Sequence, residues 1–558
     1  MESRDGASFN NKDQFMKLFS HSTRLSNLEQ MSREKFDLIV IGGGILGAGI
    51  ARDAASRGMK VALVEKSDFA SGTSSRSSKL IHGGIRYLEN LEFGLVFEAL
   101  NEREKLYELA PHLVHPLRFL LPIFSDFRVG FFKMGLGMWF YDFLALFQSQ
   151  LHEKLNAEET LERMPWLKKD KLLGSYVYSD AYMDDDRLTH ATLRSAHDLG
   201  ACIVNYTKAE KALFDKNGKI IGVQVQDQLN KTKSFNLLGH HVISCVGPWT
   251  DELAPLFEKK WKKSLRPTKG IHITISKNRL PLPEAVVMSV DKENRIVFGI
   301  PRHEMIIIGT TDTDYKENPD EVVANRADVE YLLKIVNEYF PGAQLTKQDI
   351  IATYAGVRPL VDDGSVTEGK TSREHKVLTT EHGITFVMGG KYTTYRRISE
   401  QAMNEVLCYF PIEAQAAFSV GNTFLPLNKL CSPENYLRAQ NLCEYWSRQY
   451  HLDLNDTTQL ALRHGMETES LLALGMTDGL TFYELEMLHA IRYTMCLNLV
   501  DFYTRRFPLF LSLPNHGLEW LDVLGYVAQN ELNWTNEELE RQKVLVREYM
   551  NKELQWKE

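Results

Sequence analysis

The sequence predicts an α/β chain that opens with a Rossmann-type nucleotide-binding unit, continues through antiparallel sheet and closes in helices. Three observations predict it. Residues 36–41 (FDLIVI), a short apolar run suited to a buried parallel strand, lead straight into the glycine sequence Gly42-Gly43-Gly44-Ile45-Leu46-Gly47. Stretches 271–276 (IHITIS), 295–300 and 305–308 alternate apolar and polar residues with the two-residue period of strands. From about residue 411 glycine-rich turns give way to segments, such as 483–506 and 536–552, with apolar residues at helical spacing.

Composition bounds the answer. The 558 residues carry 65 Lys+Arg against 73 Asp+Glu, a net charge of −8, with 44% hydrophobic residues. That is globular composition and excludes wholesale disorder. At roughly 150 residues per domain the length allows about three or four domains. The acidic balance gives no support to nucleic-acid binding. Six scattered cysteines without a Cys-x-x-Cys pair argue against a disulfide scaffold and a cysteine-rich zinc site, and fit a reducing compartment.

Residues 1–33 are polar, lack the apolar core of a secretory signal, and read as a tail or a loosely attached helix. The nucleotide-binding unit follows. Gly42 permits the tight turn, Gly44 lets the backbone approach a pyrophosphate, and Gly47 allows close helix–strand packing. The helix beginning there offers free N–H groups and a positive dipole end to phosphates. Gly58 stops that helix, residues 60–64 (KVALV) form the second strand, and Glu65 closes it, 23 residues after Gly42. A carboxylate there accepts ribose hydroxyls and favours FAD or NAD over NADP. The next stretch, 67–86 (SDFASGTSSRSSKLIHGGIR), is rich in hydroxyls, with Ser74 and Ser75 at its centre and His82-Gly83-Gly84 near its end. It suits a second line of contacts along a long dinucleotide.

Residues 117–147 hold ten aromatic residues interrupted by Arg118, Asp126, Arg128, Lys133 and Asp142, so no run approaches the ~20 apolar residues of a spanning helix. Two readings stand: a buried helix and loop of the core, or an interfacial patch lying on a bilayer with its basic residues at headgroup level.

IVIGGGILGAGIARDAASRG and TSSRSSKLIHGGIRYLE, followed in order by SDAYMDDDRL, SCVGPWTDEL, KGIHI, IIGTTDTDY, TYAGVRPL and GGKYTTYR, carry a resemblance. From about residue 36 to its end the chain resembles the FAD-dependent glycerol-3-phosphate dehydrogenases, which share the D-amino-acid-oxidase-like flavoprotein fold. The segment before residue 31 departs from the family's usual start. The resemblance implies a Rossmann-type FAD-binding domain (31–115, 185–265 and 350–405) interleaved with an antiparallel-sheet substrate domain (116–184 and 266–349). A tail (1–30) would precede them and a C-terminal helical domain (411–558) would follow.

The resemblance also implies roles. Arg86 and Arg358 would grip a phosphate monoester, whose two charges suit guanidinium forks. Tyr87 would add a phenolic hydrogen bond, and Asp312 would partner an arginine or a histidine. Lys391, behind Gly389 and Gly390, would stabilise negative charge on the reduced flavin, with Thr393 and Thr394 capping the next helix or touching the cofactor. Gly247 would let SCVGPW approach FAD. His82 and His272 are rival bases for the substrate hydroxyl. The implied activity is oxidation of sn-glycerol 3-phosphate to dihydroxyacetone phosphate by hydride transfer to FAD. Electrons would pass to a membrane quinone from a cytoplasmic protein held peripherally on the inner face of the membrane, and a homodimer is left open. An oxidase releasing peroxide, an amine or amino-acid oxidase, and a flavin-bearing binding module are the alternatives.

Overall fold

The computed structural model describes residues 17–84, 92–290, 295–364 and 374–557. Strands Lys35–Ile41 and Val61–Val64 pair in parallel with Ile41 opposite Val64, and both are almost wholly buried, as continuous apolar runs demand. The helix Ile45–Ser56 joins them. It ends where Gly58 turns at φ +84°, a left-handed conformation that favours glycine. The parallel sheet runs Ile384–Gly389, Ser234–Ser244, Lys35–Ile41, Val61–Val64, Cys202–Val204, with His375–Thr379 antiparallel at one edge. Strands Thr207–Phe214 and Ile220–Asp227 extend it as an antiparallel meander.

The second sheet is mostly antiparallel. Its path is Thr313–Asp314, Leu265–Ser276, Met305–Gly309, Arg295–Arg302, Ala285–Val290, Val114–Phe124, Leu172–Met183 and Leu80–Ile81. Ile350–Val361 adds to it by pairing with Leu265–Ser276 over most of its length. Residues 350–361 and Leu80–Ile81, both within the segments expected to form the FAD-binding domain, therefore pair into this second sheet. Apolar residues of its longer strands feed cores on the two sides of the sheet.

Helices Pro433–Tyr450, Leu454–His464, Glu467–Asp478, Phe482–Tyr493, Leu521–Leu532 and Asn536–Leu554 make up the C-terminal region. Its first residues, which connect it to the parallel sheet, return over the Ile45–Ser56 helix, where Arg52 donates to the carbonyls of Thr423 and Leu425.

The expectation of a loosely attached N-terminal segment is corrected from residue 17 onward. His21–Arg33 is a helix whose Arg24 is buried in an ion pair with Asp227 at 2.6 Å and donates to the Asn205 carbonyl. Phe19 is fully buried and exchanges backbone hydrogen bonds with Arg492 and Met495 of the C-terminal region. Polar composition hid this, because the helix docks through one arginine and few apolar residues.

Helix Phe131–Leu144 has an inner face of Met138, Tyr141 and Leu144, all buried. Its outer face presents Phe132, Leu136, Trp139 and Phe143 at 56–81% exposure. Among the described residues no helix is long and apolar enough to cross a membrane.

Candidate active site

A cleft of about 340 Å³ runs between the two sheets. One end is the glycine turn. Gly42 adopts φ +109°, where a methyl group would stand 2.7 Å from the Cys245 carbonyl oxygen, and a methyl group on Gly47 would run into the Gly42 carbonyl oxygen. The Ile45 N–H, at the open start of the helix, is met by Ser74 Oγ at 2.9 Å. A side chain on Gly44 would stand 3.0 Å from that same oxygen, so glycine leaves the helix start to Ser74. The Glu65 carboxylate accepts N–H groups of Gly43 (2.7 Å) and Ser67 (2.9 Å). Burial pushes its pKa up against those two donors.

The other end is built on the paired strands Leu265–Ser276 and Ile350–Val361. Register places His272 opposite Tyr354, Gly270 opposite Gly356 and Thr268 opposite Arg358. These alternate residues share one face. The two glycines open a flat window, across which the Arg358 guanidinium lies: a methyl on Gly270 would sit 2.6 Å from Arg358 Cζ. Asp312 holds Arg358 Nη1 at 2.9 Å and Thr310 Oγ1 holds Nη2 at 2.9 Å.

The His272 ring stacks on Tyr354 with centroids 4.7 Å apart and planes 9° from parallel. Its Nε2 lies 2.9 Å from Ser78 Oγ, and its buried Nδ1 has no hydrogen-bond partner among the described residues. Burial, then Arg358 and Lys79, hold its pKa well below the usual imidazole value. His82 lines the same cleft, edge-on to Phe298, with its backbone N–H on Thr393 Oγ1 at 3.3 Å. Gly389 (φ +72°) and Gly390 (φ +90°) turn the chain into Lys391, whose ammonium is withdrawn from solvent.

The cleft thus brings together Gly42, Gly44, Glu65, Ser74, His82, Gly247, His272, Arg358, Gly389, Gly390, Lys391 and Thr393. Asp312 joins through Arg358. Gly47 acts beneath the turn, Ser75 offers its carbonyl to Lys79 at 3.4 Å, and Thr394 precedes the helix Tyr395–Leu407; none of these three lines the cleft. Arg86 and Tyr87 lie outside the described residues. Sequence reading missed Ser78, Tyr354 and Arg76. Tyr354 was within reach: it alternates with Gly356 and Arg358 in TYAGVRPL as Gly270 does with His272 in KGIHI.

The FAD dependent oxidoreductase family model matches residues 37–396, which include both strands of the glycine turn and both ends of the cleft. The chain belongs to this family of flavoproteins. FAD is its cofactor. The residues fit it: glycines at the helix start, a carboxylate at the end of the second strand, and a cleft reaching from there to Lys391. A second family model, the C-terminal domain of alpha-glycerophosphate oxidase, matches residues 431–539. The aerobic glycerol-3-phosphate dehydrogenase of Staphylococcus saprophyticus is 34% identical over 523 residues, covering 92% of this chain and 94% of that protein. Its counterpart in Staphylococcus aureus strain USA300 is 33% identical over the same length. The X-ray structure of the glycerol-3-phosphate dehydrogenase from Bacillus halodurans complexed with FAD aligns with a TM-score of 0.79 at 29% identity, covering 96% of this chain and 98% of that one. This flavoprotein is thus an oxidoreductase similar to the glycerol-3-phosphate dehydrogenases along nearly its whole length.

Proposed function

We propose that the enzyme oxidises sn-glycerol 3-phosphate to dihydroxyacetone phosphate and passes the electrons to a quinone in the membrane. The observation that carries the substrate is the guanidinium of Arg358, fixed by Asp312 and Thr310 on the same sheet face as His272. The names of the staphylococcal relatives agree with it.

Arg358 binds the phosphate as a charge-assisted, oriented partner. His272, neutral because it is buried, takes the proton of the substrate hydroxyl, while Tyr354 and Ser78 hold its ring in place. FAD, when bound, would supply the hydride acceptor for the alcohol carbon. Lys391 places a positive charge at the glycine turn of the cleft, where it favours anionic groups. In the test, anaerobic glycerol 3-phosphate bleaches the visible flavin band; a flavin that ignores it but is reduced by another alcohol or an amine overturns the substrate. In Arg358→Leu the KM rises at least about 30-fold, the loss of a charged anchor, with FAD content kept. Loss of FAD would make Arg358 a cofactor residue.

The outer face of Phe131–Leu144 supports the membrane part. Leaving four large apolar side chains in water forgoes about 1.5–3 kcal/mol each, and exposed Arg128 and Lys133 beside them suit anionic headgroups. This supports a peripheral position on the inner face of the membrane, within reach of quinone. Flotation with anionic vesicles measures it: Phe132→Ser with Trp139→Ser should abolish co-flotation. Oxygen as acceptor is the second reading, favoured by the match to an alpha-glycerophosphate oxidase domain. Reoxidation of the reduced enzyme by oxygen or quinone in turn, with peroxide measured, decides between them.

A further inference from the structure

The strand that carries Arg358 has one sheet partner among the described residues, and its other edge is closed from two distant parts of the chain. Thr73 Oγ1 donates to the Val357 carbonyl at 2.6 Å and Arg76 Nη1 to the Ala355 carbonyl at 2.8 Å. The last turn of Asn536–Leu554 comes up beside them. Thr353 Oγ1 donates to the Glu553 carbonyl (2.6 Å) and accepts from Trp556 Nε1 (3.0 Å), and the Trp556 ring is buried in the core beneath the second sheet.

Glu553 also reaches Arg76. Its carboxylate lies 3.1 Å from Arg76 Nη1, with side-chain exposures of 2% for Glu553 and 18% for Arg76. Arg76 lines the FAD cleft, and its backbone packs against Gly356 in the glycine window. Arg358 is matched by Asp312 in the same way. Each arginine of this wall therefore has its own acid, and the acid of Arg76 comes from the far end of the chain. That end lies past residue 539, where the match to the C-terminal family model stops.

We propose that Glu553 is a positioning residue for the flavin cleft: it seats Arg76 against the Arg358-bearing strand and neutralises a guanidinium that would otherwise add a full positive charge to the site. Without it, anions would bind more tightly and the reduced, negatively charged flavin would be favoured. Thr353 and Trp556 fix the helix end so that the carboxylate arrives in register.

The test uses Glu553→Gln holoenzyme. At an effective dielectric near 20, a unit charge on the order of 10 Å from a group changes its equilibrium by roughly tenfold. The potential of the bound flavin should rise by about 30 mV, the two-electron equivalent of tenfold, and inorganic phosphate should bind about tenfold more tightly. Arg76→Gln combined with Glu553→Gln should return both values to those of the wild type. An unchanged or lower potential overturns the proposal, including when stability falls, because a merely structural Glu553 would not move it upward. If Glu553→Gln loses its FAD, the double variant, which leaves no uncompensated guanidinium, must recover it; failure to do so overturns the proposal as well. The potential does not depend on the substrate. A wild-type enzyme indifferent to phosphate therefore counts against the proposed substrate and leaves this proposal to be decided by the potential.

Discussion

Two histidines could take the substrate proton, and their surroundings separate them. His272 stands on the same strand-pair face as Arg358, stacked on Tyr354 and tethered to Ser78, whereas the His82 ring meets Phe298 edge-on. Replacing His272 by Asn should lower kcat by about 10²- to 10⁴-fold with little change in KM, the scale of a lost general base. His82→Asn, measured beside it, should cost far less; the reverse order would reassign the base. The pH profile carries a sign. Because burial depresses the His272 pKa, the imidazole stays neutral and able to accept a proton as pH falls through 6.5. The acid limb of kcat/KM in the wild type should therefore lie below that of free imidazole. Both histidines were legible, since HGG and KGIHI are motifs; the choice between them was not, because it depends on strand register. Arg76 and Glu553 were illegible for a plainer reason: the chain separates the pair by 477 positions.

At the scale of elements, legibility follows locality. The strand–turn–helix–strand unit at 35–65 could be read complete because every part answers to its neighbours in sequence. The placement of Ile350–Val361 could not, since its partner Leu265–Ser276 is more than seventy residues away and both strands read as apolar. Two glycines expose the difference between support and site. In Gly47→Ala the new methyl meets the Gly42 backbone oxygen, which cannot move without opening the turn. Overpacking of about 1–3 kcal/mol and loss of FAD, seen as a fall in the ratio of visible flavin to protein absorbance, are expected. In Gly270→Ala the methyl meets the end of the Arg358 side chain, which can swing aside. There the melting temperature and FAD content should hold while the KM rises about tenfold or more, because the displaced guanidinium loses its aim. A Gly270→Ala enzyme with an unchanged KM would mean that Arg358 does not face the substrate.

Across the whole molecule, the C-terminal region is joined to the nucleotide-binding sheet by buried charge as well as by the apolar core that Met495 and Leu497 share with that sheet. Arg194, on the helix Asp185–Asp198, grips Glu467; Arg187 donates to the Arg463 carbonyl; Arg506 grips Asp68 just past the second strand. Into this network are set His464, bonded to Glu486 at 2.9 Å, and His489, bonded to Glu467 at 3.1 Å, their rings 4.1 Å apart. Burial holds His464 neutral and pulls its pKa down to about 3, against the attraction of Glu486; His489 is lowered as well. The periodicity from residue 411 announced helices but not this junction, because none of its pairs is local. The consequence for stability has a definite sign. A histidine with a folded pKa below its unfolded value near 6.5 costs nothing above pH 6.5, and stability is lost as pH falls beneath it, at about 1.4 kcal/mol per unit. Glu467 and Glu486 do not offset this: burial raises their pKa, but Arg194 and Arg463 outweigh it and keep both well below the usual carboxylate range, ionised throughout. At pH 5 His464 alone should cost about 2 kcal/mol. Hydrogen exchange at pH 7.5 and pH 5, corrected for intrinsic rates, should therefore show protection falling first in residues 454–506 while the 35–64 strands keep theirs. His464→Gln, which retains a donor for Glu486 but cannot titrate, should flatten that pH dependence, and an equal loss of protection in both regions would show that the histidine junction is not the acid-labile joint.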